Sequence, residues 1–317
     1  MLTTVQRTNN SLSEGGAKCK VVGPLLACSY SFCVAVGIAA ALSFLFRDVQ
    51  ATTTAQETDT YGINNSRAIA GDYVDGNGVQ HAMILGGTNA FIAADRPDCV
   101  STPSSTSIAF YGINSAGAAA GWCTNASGVE IGFTWAKGTF TDIKIAGAGL
   151  TNANGINDSG AVVGTYIDSS GVQHGFLLEG STLTKLDPPG TVGLNTAWGI
   201  NNAGVITVFG TNSSGTYLSF TTPDKGQTYT PFHPPGEGST GTAIHQINNN
   251  GDIVATVFDS SGNRHGVLYH AGQYYTYDDP NGVGSTRADG LNDSLVMVGR
   301  YGSGAYGGIG FAAFTQP

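Results

Sequence analysis

The stretch Thr151–Gly190, TNANGINDSGAVVGTYIDSSGVQHGFLLEGSTLTKLDPPG, decides how this chain folds. It breaks into four short runs separated by turn residues. Thr151–Asn157 is followed by Asp158-Ser159-Gly160, and Ala161–Ile167 by Asp168-Ser169-Ser170-Gly171. Val172–Leu178 is followed by Glu179-Gly180, and Thr182–Asp187 by Pro188-Pro189-Gly190. Asx and Ser open such turns and Gly supplies the positive φ, so each run reads as a strand and each junction as a tight hairpin. Pro is confined to strand ends, where its missing N–H breaks no ladder.

The same unit occurs six times. Its copies start at Tyr61-Gly62-Ile63-Asn64, Tyr111-Gly112-Ile113-Asn114, Asn154-Gly155-Ile156-Asn157, Trp198-Gly199-Ile200-Asn201, His245-Gln246-Ile247-Asn248 and Asp289-Gly290-Leu291-Asn292, with spacings of 50, 43, 44, 47 and 44 residues. Four antiparallel strands in a recurring unit of this length make the blade of a β-propeller. The sequence therefore predicts an all-β, six-bladed β-propeller of four-stranded blades, with an open β-solenoid of hairpin repeats as the alternative. The last copy ends after its third strand, Ile309–Phe314. Thr52–Thr60, just ahead of copy one, is predicted to supply the missing strand and close the ring.

Composition agrees. Of 317 residues 47 are Gly and only 11% are charged, which favours turn-rich β structure over surface helices. The formal charge is −9. Residues 1–51 carry Arg7, Lys18, Lys20 and Arg47 against Glu14 and Asp48, so the remainder stands at −11. An acidic chain with no basic run is a poor partner for nucleic acid.

Val21–Phe46 is an uncharged, mostly apolar run preceded by Lys18 and Lys20 and followed by the small-residue site Val49-Gln50-Ala51. This reads as a secretory signal cleaved after Ala51, or as an uncleaved anchor formed by residues 21–46. Either divides the chain into an export segment, 1–51, and a repeat domain, 52–317. The repeats are then secreted or on the cell surface, touching the membrane only through the N-terminal segment. Of five cysteines only Cys99 and Cys123 lie in the repeats. They either pair, as exported cysteines do, or remain two buried thiols.

Repeats of the form GINxxGxxVGxYxDxxGxxHGFL, as in Gly155–Leu177, resemble the HAF family of bacterial extracellular repeat proteins, named for steps such as His174-Gly175-Phe176, His81-Ala82-Met83 and His265-Gly266-Val267. The resemblance spans Tyr61 to about Phe314. It implies export and a repeat fold and brings no established chemistry. Arg67 and Leu295 depart from it where a turn Gly belongs, and Ile131, Leu218 and Ile309 where His belongs.

Two columns of the repeat invite a functional reading. The Asn column (Asn64, Asn114, Asn157, Asn201, Asn248, Asn292) either lines a central channel or caps the following hairpin, and the cap is favoured. Copies one, three and five carry Asp75…His81, Asp168…His174 and Asp259…His265, where the other copies have Asn125…Ile131, Asn212…Leu218 and Ser303…Ile309. These pairs are either three alternate-blade ligand or metal sites, or turn aspartates beside satisfied histidines in the packing between blades. The second reading is favoured, because aliphatic residues fill the same column elsewhere.

Strand parity puts the second turn and the blade-to-blade connection on one face. That face collects Asp75, Asp168 and Asp259 with Asp95, Asp98, Asp187, Asp278 and Asp279. Such an acidic rim suits Ca²⁺ or a polar or carbohydrate ligand, or it simply keeps an exported protein soluble. There is no nucleophile elbow and no His-Glu-x-x-His, and Gly236–Gly241 matches a phosphate loop by spacing alone. The reading is an exported, non-catalytic scaffold without a required cofactor. Asp75, Asp168, Asp187, Asp259, Asp278 and Asp279 are its candidate face toward a polar or carbohydrate ligand or a protein partner. The alternative is an extracellular carbohydrate-active enzyme using those aspartates.

Overall fold

In the computed structural model copies two to five of the repeat each form one four-stranded antiparallel sheet, the strands of blades one and six lie in a single nine-stranded sheet, and the six blades surround a central axis as a β-propeller. The described residues are 6–7, 42–86, 91–99, 108–282, 284–302 and 308–316. Blade three consists of Leu150–Ile156, Val162–Ile167, Gln173–Glu179 and Thr182–Leu186, each boundary within one residue of the sequence expectation. Its first strand lies nearest the axis. The aliphatic column faces the packing between sheets: Ile63, Ile113, Ile156, Ile200, Ile247 and Leu291 are all buried. Where turn Gly is replaced, the backbone keeps its left-handed conformation, with φ 62° at Arg67 and 55° at Leu295.

Ring closure corrects the sequence reading. Glu57–Ile63 is the innermost strand of blade one, so the predicted closing segment Thr52–Thr60 is not the fourth strand of blade six. That strand is Ser43–Asp48, which pairs antiparallel with Ile309–Gln316 from Ser43↔Gln316 to Asp48↔Phe311. Phe44 and Phe46 are 6% and 2% exposed and pack with Tyr277 and Phe311. Gln6–Arg7 pairs with its outer edge, and one parallel bridge, Ile309↔Thr58, joins blade six to blade one. The boundary at residue 51 therefore separates Ser43–Asp48, which includes the last residues of the apolar run, from the rest of blade six. Residues 8–41, with Cys19, Cys28 and Cys33, lie outside the described residues. Among the described residues no helix is long and apolar enough to cross a membrane.

Each innermost strand carries a β-bulge at the first residue of the repeat tetrad, between 60 and 62, 110 and 112, 153 and 155, 197 and 199, 244 and 247, and 288 and 290. A bulge breaks the period of two and re-aims a side chain. The tetrad's Gly follows because neighbouring backbones meet there. A Cβ on Gly155 would lie 2.6 Å from the Trp198 carbonyl oxygen, and one on Gly290 2.5 Å from that of Tyr61.

Candidate functional site

At the end of the axis where the innermost strands finish, the six Asn side chains form a closed ring. Each Nδ2 donates to the backbone carbonyl of the corresponding Asn on the next blade: Asn64 to Asn114 at 2.9 Å, Asn157 to Asn201 at 3.2 Å, and finally Asn292 back to Asn64 at 3.1 Å. Each Oδ1 accepts the amide N–H four residues on, as Asn157 does from Ala161 at 3.0 Å. The cap reading describes half of this. The donation between blades is not visible in one repeat. A second polar ring of Asn65, Ser115, Asp158, Asn202, Asn249 and Asp293 surrounds it and joins blades through bonds such as Asp158 N–H to Asn202 Oδ1, 2.9 Å. The depression they enclose holds about 70 Å³, and the amides of its inner ring are spent on backbone groups.

The acidic candidates lie at the opposite end, in three clamps that each stay within one blade. His174 sits between Asp187 (Nδ1, 2.8 Å) and Asp168 (Nε2, 3.2 Å). His265 sits between Asp278 (2.8 Å) and Asp259 (3.4 Å), and His81 between Asp95 (2.9 Å) and Asp75 (3.7 Å). The other oxygen of each turn aspartate accepts amide N–H groups of its own turn, Ser170 and Val172 for Asp168. These bonds hold Asp75 and Asp168 below the usual carboxylate range, while the Asn263 side chain leads the fall of Asp259 to about 2. Burial pulls His265 down, but Asp278 and Asp259 outweigh it and the net shift is upward. Asp279 is 1% exposed and caps its own turn at Asn281. The two nitrogens of each imidazole point at opposite carboxylates, so the donors do not converge on a point. Among the described residues no group of three or more His, Cys, Asp and Glu is arranged to hold a metal ion. Cys99 and Cys123 are joined in a disulfide that ties the connection after blade one to the second strand of blade two.

Inward from the clamps, equivalent positions of the repeat build two pockets, centred on blades three and five. The bulged column supplies their deep wall. That column is the most varied of the tetrad, comprising Tyr61, Tyr111, Asn154, Trp198, His245 and Asp289, each at most 9% exposed. Around blade three the pocket holds about 340 Å³. Tyr111, Trp122 and Trp198 wall it, Asn152, Asn154, Thr165, Gln173 and Thr196 supply polar groups, and Glu130 stands at its edge. Tyr111 stacks on Trp122 at 5.8 Å and meets Trp198 edge-on at 5.8 Å. Gln173 Nε2 donates to Thr196 Oγ1 at 3.2 Å and Asn154 Nδ2 to the Ala197 carbonyl at 3.0 Å. The Asn152 Oδ1 and Trp198 Nε1 are buried without a partner.

Around blade one the same positions are filled from within. Arg300 comes from blade six, where blade two has Trp122, and lies over the Tyr61 ring at 5.1 Å. Its Nη1 donates to Asp59 Oδ2 at 2.6 Å and to Tyr61 Oη at 3.1 Å. Asp72, directly across the ladder from Asp59, accepts from Gln80 Nε2 at 2.7 Å. Burial, with the charge of Asp59 beside it, holds Asp72 well above the usual carboxylate range, and burial does the same to the Tyr61 hydroxyl. This network fills at blade one the space that is open at blades three and five.

The turn chemistry of one repeat places the clamp aspartates together on one face but gives the bulged column no role. The available signal was variation inside an otherwise constant tetrad. A strict period of two hides it, because that reading gives the residue before Gly no reason to face the axis.

No family model matches the chain, and no curated protein matches it in sequence. Solved structures do match in shape. The fucose-specific lectin from Aleuria aurantia superposes with a TM-score of 0.52 at 12% identity, covering 80% of this chain and 90% of the lectin. Another structure of that lectin, described as a six-bladed β-propeller with a novel fucose recognition mode, gives 0.50 at 11% identity, covering 80% and 89%. A gluconolactonase from Xanthomonas campestris gives 0.49 at 13% identity, covering 87% and 90%. At these identities the likeness is one of fold.

Proposed function

We propose that this chain is an exported binding propeller whose pocket around blade three takes a neutral polar ligand, a saccharide unit in particular. One observation carries the reading. A concavity of about 340 Å³, within the usual range for ligand pockets, combines three aromatic walls with a cluster of amides, one of which has a buried oxygen without a partner. A sugar presents apolar ring faces and hydroxyl edges, which call for that combination. Phosphate and other anions find no cation among the lining residues, and Glu130 is the sole carboxylate there. A hydrolysis that needs two carboxylates across the scissile bond lacks its second member in this pocket, which favours binding over catalysis. Export is supported by the apolar N-terminal run and by the Cys99–Cys123 disulfide. The Aleuria lectin is a precedent for sugar recognition on this architecture.

The test is a glycan array followed by calorimetry on the best hit, comparing the wild type with Trp122→Ala and Asn152→Ala. Binding is expected to fall at least tenfold in each variant while the melting temperature stays within a few degrees. Retention of full affinity by both variants would remove the pocket from the mechanism. Turnover of the glycan during the titration would favour the enzymatic reading.

A further inference from the structure

The pocket around blade five is built from the positions that make the blade-three pocket, yet its chemistry is opposite. It holds about 140 Å³ between Phe209 and Tyr217 of blade four, Phe258 of blade five, and the polar groups of His245, Thr256, Arg264 and Arg287. In the repeat, Arg264 stands where the blade-three pocket has Gln173, Arg287 where that pocket has Thr196, and His245 where it has Asn154. Two guanidinium groups thus line one small cavity on a chain whose formal charge is −9.

Their partners do not account for them. Arg264 lies over the Phe258 ring at 5.7 Å and makes no ion pair among the described residues. Arg287 gives Nε to Asp289 Oδ1 at 2.7 Å and lies over Trp198 at 5.6 Å, which leaves its terminal N–H groups available. His245 is 1% exposed, and neither of its ring nitrogens has a hydrogen-bond partner; Asp289 Oδ1 is 3.6 Å from Nδ1. The Thr256 hydroxyl, in a residue 2% exposed, is also unpaired. Buried polar groups are almost always satisfied, so three orphaned atoms facing one cavity beside two cations point to a ligand that completes them. Burial, together with Arg287 and Arg300, pushes the His245 pKa well down, so the ring is neutral and offers one donor and one acceptor.

We infer that this pocket is a second binding site, specific for the carboxylate of a small organic acid such as a uronic acid. A guanidinium fork matches a carboxylate in plane and charge. The aromatic walls suit a carbon skeleton better than a free inorganic anion, and His245 with Thr256 can meet hydroxyl groups beside the carboxylate. The two pockets share no lining residue, so either can fail without the other.

The test is calorimetry on the full chain carrying Trp122→Ala, which disables the blade-three pocket, with D-glucuronate, D-glucose and inorganic phosphate as probes. Saturable binding is expected for glucuronate and not for glucose. Phosphate should bind more weakly than glucuronate. Arg264→Gln, which copies the residue of the sister pocket at an exposed position, should weaken glucuronate at least tenfold, or about 1.4 kcal/mol. His245→Asn, again the sister residue, should also weaken it. Equal affinity for glucose and glucuronate, tighter binding of phosphate, or unchanged affinity in Arg264→Gln would each overturn the assignment.

Discussion

The sharpest consequence of the structure concerns the last residues of the apolar N-terminal run. Ser43–Asp48 completes blade six, with Phe44 and Phe46 buried against Tyr277 and Phe311 and with Val49 buried in the seam to blade one. Burying a Phe or Val side chain contributes about 1.5–3 kcal/mol. Three such residues contribute roughly 4–9 kcal/mol, comparable with the 5–15 kcal/mol net stability of a typical domain. Removing the strand also strips Ile309–Gln316 of its outer ladder partner and leaves an open edge where the ring should close. A chain beginning at Thr52 should therefore lose its cooperative thermal transition, whereas one beginning at Leu42 should melt as a unit when followed by circular dichroism. Phe46→Ala is the single-residue version. A cavity of that size costs about 3–5 kcal/mol, which lowers the melting temperature by about 6–20 °C in a domain of this length. The mass of the chain recovered from its native host checks the same point, since any cleavage should fall upstream of Leu42. A Thr52 chain as stable as the Leu42 chain would refute the assignment of the closing strand.

Two further outcomes follow from the polar networks. Asn157→Asp keeps the oxygen that caps the Ala161 turn but replaces the donor to Asn201 with a buried anion, so it should destabilise by about 2–4 kcal/mol in chemical denaturation; a purely local cap would tolerate Asp, and no change would leave only the cap. The raised pKa of His265 means that its clamp stabilises fully below the unfolded value of about 6.5 and loses that contribution as pH rises through the folded value; the stability difference between wild type and His265→Gln should be under about 1 kcal/mol for so exposed a pair, present at pH 5.5 and gone by pH 9, and a difference that grows with pH would contradict the clamp.

The architecture was legible because it is local and repeated. Turn chemistry at Asp158-Ser159-Gly160 and its equivalents sets the strand ends, and six copies of one pattern set the blade number. The closing strand was not legible, since Ser43–Asp48 has no repeat motif and continues an apolar run that composition assigns to export. Its place is fixed by Phe44 and Phe46 meeting Tyr277 and Phe311, contacts more than two hundred residues apart. The candidate pockets fall between these cases. Trp122, Asn152 and Trp198 lie in three blades, and one copy of the repeat contains no trace of their meeting. The bulge that turns Trp198 toward them is a register shift, which a strand read as strictly alternating does not contain.

The alternation of Asp/His pairs gains a physical reason from the same geometry. In blades one, three and five the clamped histidine immediately follows the residue that supplies the pocket's hydrogen-bonding side chain: Gln80 before His81, Gln173 before His174, Arg264 before His265. Adjacent residues on a strand point to opposite faces, so tying His174 to Asp168 and Asp187 on one face fixes the strand from which Gln173 projects on the other. Even blades contribute walls instead, Trp122 and Phe209 among them, and need no such tether, so Ile131 and Leu218 serve there. A two-blade unit repeated three times then places the same inward positions at blades one, three and five. With the frame fixed in this way, the residues at those positions set what each one offers: Asp59 and Arg300 fill the space at blade one, amides and indoles line the pocket at blade three, and Arg264 with Arg287 lines the pocket at blade five.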